Sequence, residues 1–232
     1  MNTLTKRALA AAVTLGLAFA GVNAEAGVIS TVATSRTGFT VSATDLLAGR
    51  NGSIVGNVNS QEGLASDTSG ASLTDGAFGT VGIDGHANPG MIQIHNGASI
   101  TYSLGADPSG YSISAINSYT GWRDFGRYQQ DYAVQFAFAG TPGTFVNAFT
   151  VAQHPTSGID AFVSSFDSSG AMLASHVVGV RFNFDNVQNG FVGYRELDVL
   201  GAATVPEPAS LMLIGLAAVG LVAARRRGAK QA

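Results

Sequence analysis

The stretch HVVGVRFNFD, residues 176–185, alternates with a period of two: Val178, Val180, Phe182 and Phe184 fall on one side, Gly179, Arg181 and Asn183 on the other. Successive side chains of a strand project to opposite faces, so this is the pattern of a half-buried β-strand. The same rhythm recurs on either side. SITYSL places Ile100, Tyr102 and Leu104 on one face, and DYAVQFAFAG does so with Tyr132, Val134, Phe136 and Phe138. FVGYRELDVL, residues 191–200, offers two pairs, Val192 with Tyr194 and Leu197 with Val199, whose spacing implies a change of face near Arg195. Further strands are expected at 28–34, 38–43, 111–119, 144–152 and 159–165. Turn signals separate the runs: GADPSG at 105–110, AGTPG at 139–143 and DSSG at 167–170. Many short strands with regular turns and no helical period predict an all-β domain, an antiparallel β-sandwich or jelly roll. The stretch 49–90 departs from this, being polar and glycine-rich with little alternation, and a loop of that length inside a domain is usually functional or mobile.

The chain's two ends have a different character. Lys6 and Arg7 precede an apolar run over residues 8–21 and then small residues, the arrangement of a secretory signal peptide. An A-x-A site places cleavage after Ala26, with Ala24 as the nearest competitor; an uncleaved anchor would need a longer apolar run. At the other end, residues 209–224 carry no charge and are followed by Arg225, Arg226, Arg227 and Lys230. As a helix this run is short for a stable anchor, and its basic end belongs on the cytoplasmic side. The expected organisation is a signal peptide at 1–26, a β-sandwich ectodomain at 27–204 and a C-terminal segment at 205–232.

Between those ends the charges are sparse and acidic. The ectodomain has Arg36, Arg50, Arg123, Arg127, Arg181 and Arg195 as its only basic residues, against thirteen acidic ones. Nucleic-acid binding needs clustered Lys and Arg, so that class of partner is excluded. The chain has no cysteine, which removes a disulfide framework and a lipid-modified N-terminal cysteine, and leaves stability to the core and to any bound metal.

The C-terminal order of Val205, Pro206, Glu207, Pro208, a short apolar helix and then Arg225, Arg226 and Arg227 resembles the PEP-CTERM sorting domain of exported bacterial proteins. The resemblance implies passage through the secretion translocon, a transient stay in the inner membrane, and cutting near Pro-Glu-Pro by an exosortase-like membrane protease. Two prolines one residue apart can continue neither a helix nor a sheet ladder, so the segment should be extended and accessible. An ordinary C-terminal anchor with a proline turn is the alternative. Proteins with such tails accompany exopolysaccharide and biofilm formation, so the implied destination is the cell surface or extracellular matrix and the implied partner a polysaccharide.

A second resemblance covers the ectodomain. ASLTDGAFGT, residues 71–80, and GYRELDVLG, residues 193–201, are similar to the start and end of galactose-binding-like, discoidin-type jelly rolls. The resemblance implies a structural calcium ion held by Asp75, Thr80 and Glu196 with nearby backbone carbonyls. Calcium takes six to eight hard oxygen ligands without a tight spacing rule. The plainer alternatives are an Asp-Gly turn at Asp75 and an exposed strand carboxylate at Glu196.

The segment SYTGWRDFGRYQQDY, residues 118–132, holds the chain's single Trp with two arginines, two carboxylates and two glutamines. Sugar sites pair an aromatic face with planar hydrogen-bonding groups, and Trp122, Arg123, Asp124 and Arg127 form such a set. The competing reading makes Trp122 a plug at one end of the sandwich, with Arg123 or Arg127 clamped to Asp124 or Asp131. No catalytic residues are assigned. His86, His95, His154 and His176 are dispersed, an Asp84, His86 and His95 set matches no zinc spacing, and no nucleophile elbow or paired-carboxylate signature occurs. The expectation is a non-enzymatic exported protein, with a structural or adhesive matrix role and a secreted glycan hydrolase as the alternatives.

Overall fold

The computed structural model describes residues 27–60, 69–79, 91–122 and 126–204. Eleven strands form in these segments: β1 Val28–Ser35, β2 Ser53–Val55, β3 Val58–Ser60, β4 Ile92–Ile94, β5 Ser99–Ser103, β6 Tyr111–Gly121, β7 Gln130–Phe138, β8 Phe145–Gln153, β9 Asp160–Asp167, β10 Ala174–Phe184 and β11 Val192–Ala203. A 3-10 turn at Ala71–Leu73 and another at Gln188–Gly190 complete the elements. Every pairing is antiparallel. The all-β expectation is met.

One run of neighbours reads β3, β4, β11, β6, β9, β1, and a second reads β2, β5, β10, β7, β8. The start of β10 bridges them, pairing Ala174 and Val177 with Ile113 and Tyr111 of β6. The core contains Ile100, Tyr102 and Leu104, Tyr132, Val134 and Phe136, Val180, Phe182 and Phe184, and Leu197 and Val199, as the alternation predicted. Rings interlock there: Tyr194 lies edge-on to Phe184 at 4.8 Å, and Tyr132 edge-on to Phe182 at 5.9 Å. Aromatic pairs of this geometry add about 0.5–1.5 kcal/mol beyond their burial.

Bulges account for two features of the alternation. In β11 the register shifts between Tyr194 and Glu196, so Val192, Tyr194, Leu197 and Val199 all belong to the core and the change of face near Arg195 is observed. In β10 a shift lies between Val177 and Gly179, and Val177, not Val178 as expected, fills the core. An extra residue on one strand reverses the side-chain parity beyond it.

Two expectations need correction. The stretch 38–43 forms no strand, because its amides go to carboxylates instead of a ladder: Gly38 N–H donates to Asp160 (3.2 Å) and Ser42 N–H to Asp198 (3.2 Å). The stretch 49–90, read as irregular, contains β2, β3 and the Ala71–Leu73 turn. Residues 36–50 and 69–79 supply groups that meet the side of β9, β6 and β11 facing away from the core, where Phe39 and Phe78 pack on Tyr119. That layer leaves β11 buried on both faces from Val192 to Val199.

Candidate functional site

At one end of the fold, Trp122 follows the last residue of β6 and donates its backbone N–H to Ile159 (3.0 Å). Its ring meets Phe191, the residue before β11, edge-on at 4.9 Å. The Arg127 guanidinium lies 4.6 Å from the Phe191 ring centre and 5.4 Å from that of Trp122. Cation–π contacts of this length contribute about 0.5–1 kcal/mol at partly exposed sites. His95, just past β4, sits 5.6 Å from Phe191, and its Nε2 is 3.2 Å from the Asn59 side-chain amide. Trp122, Arg127, Phe191 and His95 are all half-buried, so each keeps a face toward solvent.

Local backbone chemistry holds the cluster. Arg127 has φ +83°, which non-glycine residues avoid at a cost of about 1–2 kcal/mol. The Gln188 side-chain oxygen offsets this by accepting the N–H groups of Arg127 (2.5 Å), Tyr128 (3.1 Å) and Gln129 (3.4 Å). Gly193 permits the close approach of Trp122 to β11, since a Cβ there would come within 2.6 Å of the Met91 sulfur and 3.1 Å of the indole. The predicted pair Trp122 and Arg127 is thus brought together. Arg123 and Asp124 lie outside the described residues. Asp131 pairs with His154 (2.5 Å). The meeting of Phe191, His95 and Gln188 with Trp122 escaped sequence reading because their positions are distant in the chain; His95 was weighed only in the set with Asp84 and His86.

The second polar concentration lies on the outer face of β6 and β11. Glu196 pairs across the sheet with Tyr119, and Asp198 with Asn117, which puts four polar side chains on one patch. Both carboxylates are completely buried. Each spends one oxygen on a loop amide: Glu196 Oε1 accepts from Gly76 (3.0 Å), and Asp198 Oδ2 from Ser42 (3.2 Å) and from the Tyr119 hydroxyl (3.2 Å). Asp45 does the same from the loop side, its Oδ1 accepting from Leu47 (2.7 Å) and Val199 (3.2 Å). The other oxygens, Asp45 Oδ2, Glu196 Oε2 and Asp198 Oδ1, are buried without a hydrogen-bond partner, as is Asn117 Oδ1.

Electrostatics follow from that geometry. Burial pushes Glu196 up to about 9, with Asp198, Asp75 and Asp45 adding repulsion against the Gly76 hydrogen bond. Burial likewise lifts Asp198 to about 6, with Asp45 the next contributor, and raises Asp45. Arg195 is buried beside this patch, its Nε 3.8 Å from Asp160, its guanidinium 4.9 Å from the Phe78 ring centre and one of its N–H groups donating to the Phe78 carbonyl (3.3 Å). Gly121 makes room for that pair, because a Cβ there would collide with the Asp160 carboxylate and lie 2.5 Å from Arg195 Nε.

Of the expected calcium ligands, Asp75 and Glu196 come to the two sides of one turn. Asp75 Oδ1 accepts the Ala77 N–H (2.8 Å), Gly76 at φ +75° sits on Glu196, and Asp75 is exposed. Thr80 lies outside the described residues. The unpartnered Glu196 oxygen and the hard-oxygen character of the set fit a calcium ion, which the two carboxylates would hold against the sheet. Among the described residues no three His, Cys, Asp or Glu side chains are arranged as a ready-made metal site. Asp84 and His86 lie outside the described residues, His154 is engaged by Asp131, and His176 meets the Ser109 carbonyl (2.9 Å).

Residues 204–227 match the PEP-CTERM protein-sorting motif. This is the motif of exported proteins sorted to the cell surface and processed by an exosortase, and it contains Val205, Pro206, Glu207, Pro208, Arg225, Arg226 and Arg227. These residues, like the signal-peptide stretch 1–26, lie outside the described ones; among those described, no helix is long and apolar enough to cross a membrane. No curated protein matches the chain. Solved structures of similar fold include the family 32 carbohydrate-binding module of Clostridium perfringens NanJ in complex with galactose, 14% identical over 64% of this chain and 97% of that one, with a TM-score of 0.39. The lectin binding domain of Lectinolysin complexed with Lewis b is 11% identical over 71% and 99%, with a TM-score of 0.45. The C-terminal domain of a chitobiase from Bacteroides fragilis is 14% identical over 68% and 98%, with a TM-score of 0.44.

Proposed function

We propose that this protein is a non-enzymatic component of the cell surface or extracellular matrix whose β-sandwich binds exopolysaccharide at the Trp122 end of the fold. The observation that carries the reading is the half-buried Trp122–Phe191 pair capped by the Arg127 guanidinium, with His95 and Asn59 at its margin. Aromatic rings offer a surface for the apolar face of a sugar ring, and the flanking guanidinium, imidazole and amide groups are donors and acceptors for its hydroxyls. Arg123 and Asp124, which adjoin Trp122 in the chain, belong to the same candidate set. On this reading the signal peptide and the translocon take the chain across the inner membrane. The C-terminal helix holds it there until the exosortase cuts, and a calcium ion at Asp75, Thr80 and Glu196 stabilises the domain without touching the sugar.

A structural or adhesive matrix role is the second reading, favoured by the Arg127 packing, which closes the sandwich end with or without a ligand. Titration of the purified protein with bacterial exopolysaccharides separates the two. Binding that Trp122→Ala weakens about tenfold or more, with the melting transition kept, supports the glycan site. Unaltered binding by the folded variant, or none by the wild type, overturns it in favour of the matrix role. Turnover of the polysaccharide would instead make the protein a hydrolase.

A further inference from the structure

We propose that Asp45, Asn117 and Asp198 form a binding site for a hard divalent cation such as calcium, separate from the Asp75–Glu196 pair, and that this ion clamps the 38–50 segment onto β6 and β11. The argument begins with oxygen atoms. Asp45 Oδ2, Asp198 Oδ1 and Asn117 Oδ1 are buried and make no hydrogen bond, although the partner oxygen of each carboxylate is fully used by backbone N–H groups of that segment and by Tyr119 and Val199. Leaving a buried acceptor unpaired costs about 1–3 kcal/mol. Three such acceptors in one patch are unfavourable unless a proton or a cation neutralises them.

Asn117 supplies an observation independent of the acids. It is 8% exposed and lies directly across the sheet from Asp198, and its amide oxygen is buried without a hydrogen-bond partner. Asp198 stands on β11 between Asn117 of β6 and Asp45 of the 38–50 segment; two carboxylates with an amide carbonyl are a common oxygen set for calcium, and none of the three side chains offers the sulfur or imidazole that softer metals prefer. The other charged groups facing the patch are Glu196 and Arg195 on β11, Asp75 from the 69–79 loop, Asp160 from β9 and Arg50 from the 38–50 segment. Arg195 is committed to Asp160, and Arg50 donates its Nε to the Leu46 carbonyl (2.6 Å). The acidic groups around the patch therefore outnumber the two arginines, of which Arg50 acts on Asp45. Two carboxylates and one amide form a ligand set of low charge, with water completing the shell, so affinity should fall near the extracellular class, on the order of 0.1–1 mM.

The Tyr119 hydroxyl, 3.2 Å from Asp198, provides a local reporter. Terbium substitutes for calcium at oxygen sites and emits when an adjacent tyrosine is excited. The full chain, stripped with a chelator, should give saturable tyrosine-sensitised terbium emission that calcium competes away. Asp45→Asn and Asp198→Asn should each raise the half-saturating concentration about tenfold or more. Tyr119→Phe should abolish the emission while keeping the calcium-induced rise in melting temperature, and Asp75→Asn should leave the emission in place. The near-isosteric variants are checked for folding by their melting transition in chelator. No emission from the wild type, or emission indifferent to Asp45→Asn and Asp198→Asn, overturns the site. Emission lost in Asp75→Asn but kept in the other two assigns the ion to the Asp75–Glu196 pair and overturns it equally.

Discussion

The two faces of the β6–β11 pair handle buried polar groups in opposite ways. On the core face, Ser118 and Thr120 meet Gln130 of β7: the Ser118 hydroxyl bonds the Gln130 oxygen and lies 2.7 Å from the Tyr132 hydroxyl. Gln130 Nε2 in turn donates to Thr120 (3.2 Å) and to the Ala161 carbonyl (3.2 Å). The network closes on itself and ties β6, β7 and β9 together. On the outer face, Asn117, Glu196 and Asp198 are buried too, yet each retains an oxygen with no partner. A closed network gives rigidity, whereas an open one leaves charge for a proton or a cation to neutralise.

The strongest way to break this contrast is at Arg195, which among the described residues is the fully buried cation beside the open face. Arg195→Ala leaves Asp160 buried without its partner, and removing one member of a buried ion pair costs about 3–5 kcal/mol. Urea denaturation should show that loss as a lower midpoint with an unchanged slope. A cost below about 1 kcal/mol would mean that Asp160 is protonated in the wild type, in keeping with the direction in which burial moves it. The closed face is tested next. Gln130→Leu fills similar volume but strips the Ala161 carbonyl of one side-chain donor and the Ser118 hydroxyl of an acceptor, an expected loss of about 2–3 kcal/mol in the same experiment.

These two positions also mark what the chain discloses before it folds. The core face was legible because the apolar side chains of β5, β7, β10 and β11 recur every second residue, and even the β11 bulge announced itself as a broken parity at Arg195. The outer face was only half legible. Glu196 stood out through a motif, while Asp45, Asn117 and Asp198 did not, because burial on that side comes from 36–50 and 69–79, segments with no period of their own. A signal was nonetheless present: Glu196 and Asp198 lie two apart, on one face of a strand whose other face is Leu197 and Val199. Paired acids on an interior strand are costly unless they serve something. The Trp122 cluster was legible in its local half alone, since Phe191 and His95 reach it through β11 and β4 and not through sequence proximity.

Acidity should separate the faces next. Glu196 and Asp198 have folded-state values raised to about 9 and about 6, above their ordinary carboxylate values. The folded state therefore holds protons that the unfolded chain releases. Their contribution is fully present below about pH 4, and is lost as the pH rises through about 6 for Asp198 and about 9 for Glu196. In chelator, the melting temperature should fall steadily between about pH 5 and pH 9. Saturating calcium should flatten that slope, because the ion replaces the protons. The closed face contributes nothing to either curve, since none of Ser118, Thr120 and Gln130 titrates. A slope that calcium does not change would leave both cation sites without support.

The smallest effect is the most specific to one atom. Asp198→Asn keeps the side-chain shape and turns the carboxylate that Asp45 repels into a neutral amide. Its oxygen can still accept from Ser42 and Tyr119, while the amide group takes the place of the unpartnered Asp198 Oδ1. In chelator at about pH 8, where the native side chain is ionised, the variant should be more stable by about 1 kcal/mol or more, because each unit by which burial raises the carboxyl corresponds to about 1.4 kcal/mol against its ionised form. At about pH 4 the native carboxyl is itself neutral, so the gain should shrink toward zero. In excess calcium the sign should reverse, because the wild type gains an ion that the variant binds poorly. A gain independent of both pH and calcium would point to packing alone and would erase the distinction between the two faces.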